Sequence, residues 1–277
     1  MKGLARLVRL HYTVPFALGY TLILFYALGG RMAGEWLGAG LSTLALALVI
    51  AAGYALNDVF DVEVDRVNAP QRPLVAGQVQ PAAAARFGVA LLAAGLGLGA
   101  LCRWQFLVTL AAVAAALVAY DRTSKRLGAA KQLAVAALMV SLYPLAFAQA
   151  GGASGPRAAS LAVFPVWLFL TAFGYEVLKD LRDAAGDRAP GVGPTPLQRN
   201  PERWRRIASL AIVGAVPVAL LPLGQGCHGV YLGVAAVGLA AGVASAFLDV
   251  RRAIVATYAD VFLVALAATA DVVVHGM

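Results

Sequence analysis

The chain carries nine apolar stretches of membrane-crossing length, and that pattern removes most folds from consideration. They lie at about 13–29, 38–57, 84–101, 104–120, 132–150, 160–179, 207–223, 229–248 and 254–274. A helix needs ~20 residues to cross the hydrocarbon core of a bilayer. In lipid each crossing segment must satisfy its own backbone polar groups, so stretches of this length predict helices. Hydrophobic residues make up 61% of the 277, and only 13% are charged. A water-soluble fold of this size could not hide so much apolar surface. The expected fold class is therefore all-α, a polytopic membrane protein with nine transmembrane helices, residues 1–277 forming one integral-membrane domain. The opening MKGLARLVRLHYTVPF has basic residues but no short apolar core before a small-residue cleavage site, so no cleavable signal peptide is expected.

A net charge of +8 would suit a nucleic-acid partner, but its placement argues for topology instead. Of the 22 lysines and arginines, 19 fall before the first stretch or at the connections after the second, fourth, sixth and eighth. The other connections carry only Arg31, Arg103 and Arg157. The positive-inside rule then puts the N-terminus and the even connections in the cytoplasm. The setting is a bacterial or archaeal cell membrane, anionic lipid headgroups are a second partner, and no nucleic acid is expected. The cysteines, Cys102 and Cys227, make no disulfide framework. The histidines, His11, His228 and His275, are scattered, so no zinc or haem site is expected. Nothing in the sequence sets an oligomeric state.

Eight of the 14 acidic residues fall in two short clusters. Asp58, Asp61, Glu63 and Asp65 follow the second stretch; Glu176, Asp180, Asp183 and Asp187 end the sixth. Both lie on the cytoplasmic side of the expected topology. At ~100° per helical residue, Asn57, Asp61 and Asp65 drift by only ~40° per step and share a face, while Glu63 points away. Glu176, Asp180, Asp183 and Asp187 fall within ~60° of one another. Like charges so spaced destabilise a bare helix unless a cation holds them. Oxygen donors without His or Cys favour a hard cation, with Mg²⁺ first and Mn²⁺ or Ca²⁺ next. Mg²⁺ commonly bridges carboxylates to substrate phosphate. A phosphorylated lipid, such as an isoprenyl diphosphate, suits both the carboxylates and the membrane body.

At these residues the chain resembles the UbiA superfamily of intramembrane prenyltransferases. That family's first motif, Asn-x-x-x-Asp-x-x-x-Asp, is matched by Asn57, Asp61 and Asp65, and its second by Asp183 and Asp187 with Asp180 ahead. Its Tyr and Lys between spans 4 and 5 are matched by Tyr120 and Lys125 in YDRTSKR. DRVNAPQRPLVAG and KDLRDAAGD are most similar to the branch holding digeranylgeranylglyceryl phosphate synthase, chlorophyll synthase and homogentisate prenyltransferases. One departure stands out: Lys131 and Gln132 occupy a place where many members have Gly-Asn.

The resemblance implies nine helices around a central lipid-substrate chamber, with Mg²⁺ as cofactor. Two ions would bridge an isoprenyl diphosphate to Asp61 and Asp65 on one side and to Asp183 and Asp187 on the other. Asp58 and Asp180 would bind the ions or orient groups that do, and Asn57 would add a neutral oxygen. Lys125, then Arg72, Lys179 and Arg126, would stabilise the departing diphosphate. Tyr120 would hydrogen-bond it or face the allylic cation with its ring. Asp260, inside the ninth stretch, is a substrate-binding candidate because a carboxylate within the membrane is costly; it is otherwise protonated or paired. QRNPERWRRIASL (198–210) reads as an interfacial segment. The expected activity is transfer of the prenyl group to a lipid or aromatic acceptor. A membrane terpene cyclase needs the same aspartates and stays open as the alternative. A transporter is disfavoured, because its site would sit near the bilayer midplane.

Overall fold

The structure, a computed structural model, describes residues 2–124, 127–128, 130–152, 156–184 and 196–275. Among them the secondary structure is helical, apart from one isolated bridge between Leu223 and Cys227. In chain order the helices are α1 (Lys2–Leu7), α2 (Leu10–Ala27), α3 (Trp36–Phe60), α4 (Val62–Asn68), α5 (Pro81–Gly99), α6 (Trp104–Thr123) and α7 (Ala130–Val140). They continue with α8 (Leu142–Ala150), α9 (Pro156–Ala184), α10 (Pro196–Arg199), α11 (Pro201–Leu220), α12 (Gly229–Ser245) and α13 (Val250–His275).

Helix stands at every predicted stretch. Among the described residues, seven reach the length and apolarity of a membrane crossing: α2, α3, α5, α6, the α7–α8 run, α9 and α13. The other two fall short for different reasons. Helix α12 is apolar but has 17 residues. Helix α11 has 20 residues, but Glu202, Arg203, Arg205 and Arg206 crowd its first two turns. The protein is an integral membrane protein by these helices.

The chain forms two compact units, Met1–Thr21 with Ala33–Arg126, and Leu22–Met32 with Leu127–Met277. In the first, α3 packs along α5 and α6. Small residues permit it: a Cβ at Gly95 would lie 2.9 Å from the carbonyl oxygen of Ala45, and one at Gly53 would lie 2.4 Å from Leu117. Without a hydrophobic force between helices in lipid, close backbone approach supplies the packing. Leu7 of α1 packs with Ala55, Leu74, Val79 and Ala84, and Arg6 donates to Gln78 at 3.1 Å, so the N-terminal helix is tied to the 70–79 loop. The second unit repeats the device. Gly174 lets α9 meet Ile212 and the Ala208 carbonyl of α11, and Gly238 and Gly242 let α12 meet α13 at Asp260 and Leu263. Its core gathers Phe164, Trp167, Tyr231 and Val264, with Tyr26, whose hydroxyl lies 2.6 Å from that of Ser160.

The 198–210 segment starts α11 in an orderly way. Asn200 caps it, accepting from the Arg203 amide at 3.1 Å, and Pro201 takes the first turn, where its missing N–H costs nothing. Arg205 donates to the carbonyls of Ser245 and Leu248, satisfying the end of α12.

Candidate active site

The first motif sits where α3 breaks into α4. Asp61 marks the break, yet the helical ladder runs through it: the Asp61 amide donates to Asn57 at 2.9 Å, and the Asp65 amide donates to Asp61 at 2.8 Å. Asn57, Asp61 and Asp65 therefore remain in register on one face. Asn57 Nδ2 also donates to Asp61 Oδ2 at 3.0 Å. The side chain of Asp65 is 7% exposed, while that of Glu63 is 74% exposed and pairs with Arg66.

Arginines neutralise this cluster. Arg72 pairs with Asp65 and lies 3.4 Å from Asp58. Arg9 pairs with the buried Asp58 and lies over the Tyr54 ring. Arg9 adopts a left-handed φ of 43° between α1 and α2, a conformation that costs energy for a residue with a Cβ and needs firm surroundings. Burial raises the Asp65 carboxyl above its ordinary value, although Arg72 pulls the other way.

Tyr120 and Asp121 end α6, within the same unit. Tyr120 is half-buried. Asp121 is 5% exposed, its charged neighbours are Asp61 and Arg9, and its Oδ2 has no hydrogen-bond partner among the described residues. A buried carboxylate oxygen left without a donor, near the carboxylate of Asp61, suits a hard cation. Asp121 lay in plain view beside Tyr120 in the sequence, but a lone acidic residue after an apolar run gave no signal. Arg9, one of three basic residues before the first stretch, likewise carries no signal of its own.

In the second unit, α9 carries Glu176, Asp180 and Asp183, while Asp187 lies outside the described residues, as do Lys125 and Arg126. Glu176 is buried, and Lys179 donates to both its oxygens at 2.8 and 3.0 Å. Asp183 is half-exposed and takes two bonds from Arg182. Asp180 is held from α7, where Lys131 Nζ donates to Oδ1 at 2.9 Å and Gln132 Nε2 donates to Oδ2 at 2.7 Å. The two residues that depart from the usual Gly-Asn thus grip a motif carboxylate. Asp260 lies on α13. It is 1% exposed, packs on the glycines of α12, and neither oxygen has a hydrogen-bond partner among the described residues. The donors of both clusters are all oxygen, as Mg²⁺ prefers.

A family model described as UbiA prenyltransferase family matches residues 17–266. A digeranylgeranylglyceryl phosphate synthase of Natronomonas pharaonis is 33% identical over 253 residues, covering 90% of this chain and 89% of that one. A solved structure of a digeranylgeranylglyceryl phosphate synthase superposes with a TM-score of 0.78 at 22% identity, covering 98% of both chains. A UbiA homologue from Archaeoglobus fulgidus, solved bound to DMAPP and Mg²⁺, superposes with a TM-score of 0.65 at 17% identity, covering 97% of this chain and 99% of that one. The solved structures share the fold; the match along the sequence shows that the chain belongs to the UbiA prenyltransferase family, whose enzymes transfer prenyl groups.

Proposed function

We propose that this protein moves an isoprenyl group from a diphosphate donor to a glycerophosphate lipid at the cytoplasmic face of the membrane. The observation that carries this reading is the unbroken ladder from Asn57 through Asp61 to Asp65. It keeps an amide and two carboxylates on one face at the end of a membrane-length helix, as the family's first motif requires. The name of the Natronomonas relative specifies a glyceryl phosphate with two geranylgeranyl chains. The donor is accordingly geranylgeranyl diphosphate, and the acceptor a glyceryl phosphate already carrying one such chain.

In this reading Asp61, Asp65, Asp183 and Asp187 hold Mg²⁺, which when bound neutralises charge on the departing diphosphate. Asp58 and Asp180 orient the groups around them: Asp58 through Arg9 and Arg72, Asp180 through Lys131 and Gln132. Lys125, Arg126, Arg72 and Lys179 bring positive charge to the diphosphate, and Tyr120 hydrogen-bonds it or offers its ring face to the allylic cation. Residues 1–277 act as one catalytic domain, since the family match runs through both compact units. The chain crosses the membrane nine times with its N-terminus in the cytoplasm, α11 and α12 completing the count. The 19 basic residues on the even side support that orientation.

The test is acceptor dependence. Purified enzyme given geranylgeranyl diphosphate and Mg²⁺ alone should release only slow hydrolysis product. Rapid turnover should need geranylgeranylglyceryl phosphate, with the ether product identified by mass spectrometry. A cyclic hydrocarbon or alcohol formed from the diphosphate alone, at the rate of the acceptor reaction, would establish a cyclase instead.

A further inference from the structure

Forty-odd residues of α12 and α13 separate His228 from His275 in sequence, yet the fold returns them to one place. Their ring centroids are 4.6 Å apart and tilted by 33°. Between them sits Asp271, 1% exposed. His228 Nδ1 lies 3.1 Å from Asp271 Oδ2, and His275 Nδ1 lies 3.6 Å from Oδ1. One ligand atom from each of the three residues can be chosen so that all lie within 4.8 Å of one another. All three belong to the second compact unit, and none is a motif residue.

Asp271 has a structural duty, as it accepts the backbone amides of His228 at 3.1 Å and Tyr231 at 3.0 Å and so closes the first turn of α12. That duty needs no imidazole. It does explain why the carboxylate is held rigidly, since the fold fixes it by backbone bonds before any ion arrives. Two imidazoles beside such a carboxylate make a nitrogen-rich donor set with one oxygen, the composition that zinc, nickel, cobalt and copper prefer and that Mg²⁺ does not. The two histidine side chains are 53% and 38% exposed, so an ion has a way in.

We propose that His228, Asp271 and His275 form a transition-metal site, with three protein ligands and an open position for water. The ion would join the turn before α12 to the last turn of α13, and so clasp the two helices at one end. On the nine-span topology the site faces the side opposite the aspartate motifs, where a cytoplasmic Mg²⁺ pool does not reach it.

The test uses full-length, tag-free protein in detergent micelles, stripped with EDTA and returned to excess Mg²⁺ to fill the oxygen sites. Zn²⁺ titrated by calorimetry should bind at one equivalent and raise the melting temperature. Cu²⁺ in its place should give an electron-paramagnetic spectrum with nitrogen couplings from two imidazoles. The chain has three histidines, so His11→Ala serves as the control and should change neither readout. The double replacement His228→Ala with His275→Ala, at exposed positions, should weaken Zn²⁺ binding at least 30-fold and abolish the nitrogen couplings while prenyl transfer persists. Asp61→Asn should leave Zn²⁺ binding unchanged even where it stops catalysis. Zn²⁺ affinity equal in the wild type and the double variant would overturn the proposal, as would a Cu²⁺ spectrum without imidazole nitrogen.

Discussion

Replacing Asp65 and Glu63 in parallel tests whether the first motif acts as a helix face. The two residues are two positions apart, with equal formal charge, and their surroundings differ sharply. The Glu63 side chain is 74% exposed and its one pair, with Arg66 at 3.1 Å, spans i to i+3 on the surface. Such a pair is worth ~0.3–0.5 kcal/mol, so Glu63→Ala should change kcat/KM by about twofold at most. Asp65 is 7% exposed and shares Arg72 with Asp58. Asp65→Asn keeps the volume and leaves Arg72 a partner, which limits the damage to folding. It removes a charge from the group assigned to the ions and diphosphate. Losing a preorganised electrostatic contact of that kind costs ~2.7–4 kcal/mol of transition-state stabilisation, or about 100- to 1,000-fold in rate. Initial rates of geranylgeranyl transfer should be measured over a range of Mg²⁺, with size-exclusion profiles and melting temperatures confirming that each variant is folded. A Glu63→Ala enzyme as impaired as Asp65→Asn would refute the helix-face argument. Asp65→Asn activity above about a tenth of wild type would refute the assigned role of the carboxylate.

Chelation should abolish prenyl transfer, and added Mg²⁺ should restore it; undiminished turnover in excess EDTA would remove the metal from the reaction. Single cysteines placed beside Arg72 and Arg188 should be labelled only from the cytoplasmic side, and one beside Arg157 only from outside. Labelling of all three from one side would break the nine-span topology. Gly95→Val would press a Cβ to within 2.9 Å of the Ala45 carbonyl, so α5 would have to move away from α3. The cost should be ~1–3 kcal/mol, read as a lower melting temperature, whereas the same change at Gly97, which has nothing within 4 Å, should leave it nearly unchanged.

The helices were legible because lipid imposes a simple rule: a crossing segment must be long, apolar and internally hydrogen-bonded. Departures arise where a stretch serves a second purpose. The fifth stretch divides at Ser141 into α7 and α8, and α11 begins inside a charged segment whose Arg205 is needed at the end of α12. A hydropathy window averages over such features. The face shared by Asn57, Asp61 and Asp65 was legible for a different reason, because four-residue spacing maps directly onto a helix, and the break at Asp61 leaves that ladder intact.

Contacts between distant segments obey no such spacing, and they decide what the remaining polar residues do. Read in sequence, Lys131 and Gln132 are a departure from a family pattern, and Asp180 is one member of an acidic stripe. In the structure α7 lies along α9 and the three become a single group, with both Asp180 oxygens occupied. Gln132 is 1% exposed, and its Nε2 donates to Asp180 at 2.7 Å, while its Oε1 has no hydrogen-bond partner among the described residues. The substitution therefore keeps a side-chain amide in this region while adding a methylene, and Lys131 adds a charge that the Gly-Asn pattern lacks. A lysine on Asp180 offsets the repulsion within the Glu176–Asp180–Asp183 stripe, as Lys179 does for Glu176 and Arg182 for Asp183. Each described carboxylate of the second cluster thus has its own cation. In the first cluster Arg9 and Arg72 neutralise Asp58 and Asp65, Arg66 pairs with Glu63, and Asp61 accepts from Asn57. Both arrangements let the fold keep dense negative charge, and only the pairing within helices α4 and α9 could have been read from spacing along the chain.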